Sequence, residues 1–232
     1  MRKSRIMAIV LTAAVQVVPL AAQSAPAKPA WESLMRAPVP EGSLANISVV
    51  SIPVAPAPSV PRDPGPGHTH PGPVFAYILQ GKIENQVEPD PPYIYAAGDY
   101  FQEVPMHVHR FLRNLSATEP AKLIIFQEGA DNSKAAPGIK MLIEEPLPST
   151  TNQEVILLRL TLPAGTVSEG REHSGPAFVY VVDGKIETSG TAHAAGDLFL
   201  DPANPKGLTY KNASNSDPAK LLVYYVSEKR GQ

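Results

Sequence analysis

No cysteine occurs in the 232 residues. That excludes disulfides, even in a compartment that would permit them, and it excludes a lipidated N-terminal cysteine. Charge is sparse as well: 18% of residues are charged, and the formal charge is −2. Nothing is strongly basic, and no Lys/Arg stripe alternates with aromatics, so nucleic acid is not expected as a partner. A Ser/His/Asp set, a phosphate-cradling loop and a nucleotide motif are also missing. Long helical patterns do not occur. Instead, 26 prolines and 16 glycines punctuate the chain, which favours many short strands joined by turns.

The N-terminus has the outline of a secretory leader. A basic start (Arg2, Lys3, Arg5) precedes an apolar run from Ile6 to Ala22, and small residues follow near Ala22–Ser24. A membrane anchor would begin in the same way, but this run is short and interrupted by Gln16 and Pro19. Residues 1–24 are therefore read as a signal peptide, and a periplasmic or secreted location follows. Losing its three cations takes the formal charge from −2 to −5, with no electrostatic reason to sit on anionic lipid. No membrane insertion is expected after cleavage. Residues 25–45 read as a Pro-rich arm that packs through Trp31, Leu34 and Met35.

The remainder repeats itself. HPGPVFAYILQGKIE (70–84) matches HSGPAFVYVVDGKIE (173–187). AAGDYF (96–101) matches AAGDLF (194–199), and NLSATEPAKLIIF (114–126) matches NASNSDPAKLLVY (212–224). Three ordered matches define two units, 46–135 and 136–232. Their β-branched and aromatic runs, broken at Gly81 and Gly184, read as strands with a hairpin at each glycine. The expected fold is all-β, with two small barrels or jelly rolls in tandem.

His68 and His70 stand two apart, so on a strand they share a face. By the same alternation Val74, Ala76 and Ile78 belong on the inner wall, and Phe111 belongs beside His109. Arg113 and its counterpart Lys211 are read as structural, and His193 as a surface loop residue.

These motifs resemble the cupin superfamily. Its first motif is Gly, five residues, His-x-His, three or four residues, Glu, six residues, Gly. Its second is Gly, five residues, Pro-x-Gly, two residues, His, three residues, Asn. His68-Thr69-His70 fits the paired histidines, Gly81 the closing glycine, Gly98 the opening of the second motif and His109 its histidine. Both units are covered, so the chain resembles a bicupin. The sequence departs from the pattern at Val74, where the glutamate belongs, and at Val104 and Met106 in the second motif. The second unit has Arg171, Ala177 and Gly207 at ligand positions and keeps only His173, so it is expected to be metal-free, a structural partner or lid.

The resemblance implies one divalent transition metal (Fe, Mn, Co, Ni, Cu or Zn) on His68, His70 and His109. Glu103, Gln102 or His107 could supply a further ligand or a pocket base. A neutral three-imidazole shell leaves the metal its full charge, which favours an anionic small molecule at the open positions. A dioxygenase activity is the sharpest expectation. The alternatives are a non-catalytic small-molecule binder and a purely structural pair of barrels. Monomer and homodimer both remain open.

Overall fold

The computed structural model of the protein describes residues 28–40, 46–57, 66–129, 138–146, 152–173, 175–202 and 206–229. The leader lies outside these residues. The described residues form strands and no helix, and no helix among them is long and apolar enough to cross a membrane.

The repeat is visible in the strand order. The first set is β1 (Ala30–Pro38), β2 (Asn46–Val54), β3 (Val74–Gln80), β4 (Lys82–Val87), β5 (Tyr93–Ala96), β6 (Tyr100–Glu103), β7 (His109–Asn114) and β8 (Ala121–Glu128). The second is β9 (Lys140–Pro146), β10 (Gln153–Leu162), β11 (Ala177–Asp183), β12 (Lys185–Thr188), β13 (Thr191–Ala194), β14 (Leu198–Asp201), β15 (Lys211–Asn212) and β16 (Ala219–Glu228). One five-stranded sheet runs β6-β3-β8-β2-β9 and faces the three-stranded sheet β5-β4-β7. The other runs β14-β11-β16-β10-β1 and faces β13-β12-β15. Each pair of sheets is a jelly-roll barrel. All the pairings are antiparallel.

The edge strands are exchanged. β1 precedes the first barrel in sequence but pairs with β10 of the second, and β9 precedes the second but pairs with β2 of the first. The Pro-rich arm thus contributes a nine-residue strand. Exchange covers the edges of β2 and β10, which would otherwise be open templates for pairing.

Gly81 and Gly184 do not make hairpins. β3 pairs with β6 and β8, whereas β4 pairs with β5 and β7, so the chain turns a corner at Gly81 and passes from one sheet to the other. The corner takes φ of +83°, and a Cβ there would lie 2.8 Å from Ala121 Cβ. Only glycine relieves both constraints.

Three apolar clusters hold the molecule. Val50, Val74, Ala76, Ile78, Ile83 and Ile125 are among those that fill the first barrel; Ile156, Leu158, Val179 and Val223 are among those in the second. Between the barrels, the outer faces of the two five-stranded sheets pack together through residues that include Phe75, Phe126, Phe178 and Tyr224. Phe126 and Tyr224 occupy matching repeat positions, and their rings stack on each other at 5.0 Å and 25°. β3, β8, β11 and β16 are therefore buried on both faces. That explains why LIIF and LLVYYV read as continuous apolar runs rather than alternating ones.

Candidate metal centre

His68 lies in the segment before β3 and is fixed by a two-bond bridge to β7. His68 N–H donates to the His109 carbonyl at 3.0 Å, and His109 N–H donates to the His68 carbonyl at 2.7 Å. Two residues on, His70 turns its ring to the same point, with its Nε2 3.1 Å from that of His68. Two imidazole lone pairs at that separation repel unless a proton or a cation lies between them. The His109 ring completes the group, its centroid 4.9 Å from that of His68. One ring nitrogen from each of the three lies within 4.8 Å of the others.

Asn85 on β4 sets the orientation of His109. Its Oδ1 is 2.8 Å from His109 Nε2, so Nε2 carries the proton and Nδ1 keeps its lone pair. The His68 imidazole is held below its usual pKa, first by burial and then by the neighbouring His70 and His109. A neutral ring with a free lone pair is the form that binds a metal.

Glu103 adds a carboxylate. It lies at the end of β6, 3% exposed, with Oε2 3.0 Å from His70 Nε2 and Oε1 3.4 Å from His109 Nδ1. These approaches are close, yet Glu103 Oε2 and His109 Nδ1 are both buried without a properly directed hydrogen bond. Buried polar atoms left unpaired are costly. Here an acceptor oxygen and an acceptor nitrogen converge with two further imidazoles, a donor set that fits a divalent cation. Glu103 also explains the loss at Val74. The two residues are direct cross-strand partners, so the carboxylate has moved one strand sideways on the same inner face.

The other expected residues divide. Val74, Ala76 and Ile78 are buried in the interior of the first barrel. Gln102 is one position from Glu103, opposite Phe75, so it faces away from the centre. His107 is exposed in the turn after β6 and is not part of the histidine group. Phe111 does not share the face of His109. The register of β4 on β7 shifts between Gln86 and Val87, so His109 opposes Val87 while Leu112 opposes Asn85. The bulge inserts one residue and breaks the alternation on which the expectation rested. Leu112 faces the interior instead, and Phe111 lies under the Arg113 guanidinium at 5.0 Å. Arg113 forms an ion pair with Glu84, and Lys211 one with Glu187, in keeping with structural roles. His193 is on β13, not in a loop, and stacks on Phe199 at 3.9 Å.

Asn85 escapes a search for ligands because it is not one. Its signal was a polar residue at an inward position of KIENQV. The signal for Glu103 was its counterpart Asp201, an acid at the same place in the repeat.

The second barrel has filled the equivalent place. Asp201 lies opposite Ala177, as Glu103 lies opposite Val74. It accepts from Tyr210 Oη at 2.6 Å and from Leu208 N–H at 3.2 Å, with His173 Nε2 at 3.4 Å. Burial alone would raise the pKa of Asp201, but these partners outweigh it and lower the value. Burial likewise opposes charge on His173, but the contacts to Asp201 and the Gly175 carbonyl raise its pKa. Tyr210 takes the position of Leu112 and fills the centre with a phenol. Gly207 stands at the position of His109, where a Cβ would lie 2.4 Å from Arg171 N. The described residues contain no second ligating group of this kind.

Fold and site together give an all-β protein of jelly-roll barrels with one three-histidine centre compatible with a divalent metal. Residues 60–126, the first barrel's histidine-bearing segment, match the family model for the cupin domain. No curated protein matches the sequence. Among solved structures, the chain is similar to the salicylate 1,2-dioxygenase of Pseudaminobacter salicylatoxidans, with TM-score 0.52, 14% identity, and coverage of 77% of this chain and 70% of that one. It is similar to an oxalate decarboxylase, with TM-score 0.53, 14% identity, and coverage of 81% and 70%. It is also similar to the bacterial pirin YhhW of Escherichia coli, solved in complex with nickel(II), with TM-score 0.50, 15% identity, and coverage of 75% and 74%. At these identities the likeness speaks for the fold.

Proposed function

We propose that the protein is a bicupin, exported to the periplasm or secreted, that binds one divalent transition metal in its first barrel and acts there on a small organic molecule. The observation that carries this reading is the group of His68, His70 and His109, whose ligand nitrogens lie within 4.8 Å of one another, with the Glu103 carboxylate 3.0 Å from His70 and 3.4 Å from His109. His68, His70 and His109 would hold the metal, and Glu103 would be the fourth ligand or the group that takes a proton beside it. When bound, the metal supplies a Lewis-acid and redox-capable centre for a substrate with oxygen donors. The chain's own part is to exclude water and orient. Val74, Ala76 and Ile78 make the barrel interior apolar, and Asn85 holds His109 in one tautomer. The dioxygenase and the decarboxylase among its structural neighbours, both acting on carboxylate compounds by name, make oxidative chemistry on an organic acid the first reaction to screen.

The test is metal content by mass spectrometry on the purified protein and on His68→Ala and His109→Ala, after anaerobic loading with Fe(II), Mn(II) or Zn(II). A stoichiometric metal in the wild type, lost in both variants, is expected. Oxygen-uptake assays with organic acids follow on the loaded protein. A folded wild type that takes up no metal would overturn the reading.

A further inference from the structure

The mouth of the second barrel is not sealed. A cavity of about 360 Å³ is lined by Arg36, Glu154, Ile156, Arg171, Glu172, Tyr225 and Ser227. That volume lies in the range of small-molecule sites. The lining comes from inward positions. Ile156 and Tyr225 belong to the interior cluster, and Arg36 is the cross-strand partner of Ile156. A bulge between Ser33 and Met35 in β1 turns Arg36 towards this face. The exchanged strand therefore completes the site.

The charges here are unequal in what they can still do. Arg36 is paired with Glu154 at 3.3 Å. Arg171 stands at the position that His68 occupies in the first barrel. Its guanidinium lies over the Trp31 ring at 5.6 Å, and no carboxylate lies within ion-pair distance among the described residues. The Trp31 contact uses none of the guanidinium N–H donors, so they stay available to a bidentate oxyanion. Glu154 and Glu172 also border the cavity and would repel a second negative charge. Ile156 and the Tyr225 ring offer an apolar, partly aromatic wall.

We propose that the second barrel is a binding site for a small organic monocarboxylate, gripped by Arg171 and packed against Tyr225 and Ile156. A guanidinium thus stands in the second barrel where the first uses imidazole, and the two barrels hold different ligands. This site does not depend on the metal centre.

The test is isothermal titration calorimetry of the purified protein with benzoate, its neutral isostere benzamide, and chloride. Benzoate is expected to bind and the other two not. Arg171→Gln, whose side chain is exposed and whose melting temperature should be that of the wild type, is expected to weaken benzoate by about tenfold or more, the usual scale of a lost charge-assisted pair. The double variant His68→Ala/His109→Ala should bind benzoate as the wild type does. The proposal is overturned if benzoate does not bind at millimolar concentration, if benzamide or chloride binds as well, if Arg171→Gln binds unchanged, or if binding disappears with the histidines.

Discussion

Glu128 should lower the stability of this protein at neutral pH. It ends β8 on the face that packs between the barrels, opposite Ile47, and it is 1% exposed. Neither carboxylate oxygen has a hydrogen-bond partner among the described residues. The matching position in the second barrel is Val226, an apolar member of the same cluster. Burial holds the Glu128 pKa well above its usual 4.5. The folded state therefore keeps a proton that the unfolded chain releases. The Glu128 contribution is most favourable below pH 4.5, is lost as pH rises through the raised value, and then stays low. Glu128→Leu removes both the unpaired oxygens and the titration. An unsatisfied buried polar group costs about 1–3 kcal/mol. A gain near the middle of that range, about 2 kcal/mol, corresponds to about 4–8 °C in Tm for a chain of this size. The assay is thermal unfolding of both proteins at about pH 4.5 and about pH 7.5. The difference should widen at the higher pH. A variant less stable than the wild type at neutral pH would refute the reasoning, because it would mean that the carboxylate has a partner worth more than its burial.

Three further outcomes follow from the two centres. Asn85→Ala frees His109 Nε2 and should weaken metal binding by about 10–100-fold while leaving the fold intact, as read by competition with a chelator. Leu112→Tyr gives the first barrel the side chain that fills the second, and it should abolish metal uptake at a cost of about 1–3 kcal/mol in stability, checked by metal analysis and denaturant titration. The His173–Asp201 pair stabilises most between the usual 3.8 of Asp201 and the usual 6.5 of His173. Its His173 part is complete below the usual 6.5 and is lost as pH rises through the raised value; its Asp201 part is lost as pH falls through the lowered one. Asp201→Asn should flatten the stability profile at both ends, as followed by Tm against pH.

The fold was largely legible because repetition and turn chemistry are local signals. Three matched segments predicted two barrels, and Gly81 marked a break in the run. What kind of break it was depends on which strands pair, a non-local fact, so the corner between sheets read as a hairpin. The exchange of β1 and β9 was hidden for the same reason. Inner-wall positions on β3 followed from alternation, whereas Phe111 did not, because a bulge carries no mark in HRFLRN. The three histidines were legible from spacing and from the resemblance. The weight of Glu103 was not, because a motif assigns a carboxylate to a place in the chain, and the site needs only a place in space.

That distinction bears on how the two barrels differ. On neighbouring antiparallel strands, directly opposed residues have Cβ atoms about 4.5–5.5 Å apart. An acid moved from β3 to its partner on β6 therefore stays within reach of the same imidazoles, and the Glu103 distances to His70 and His109 bear this out. The second barrel keeps the acid in the same place yet has no comparable ligand group among the described residues. The carboxylate position cannot be what separates the barrels. The deciding residues are Arg171 and Gly207, which stand where the first barrel has imidazoles, and the Tyr210 phenol that donates to Asp201 Oδ2. One buried acid is thus compatible with either outcome. Three ring nitrogens beside a carboxylate make a cation site, whereas a single imidazole beside an acid whose Oδ2 already accepts a phenol O–H and a backbone N–H does not.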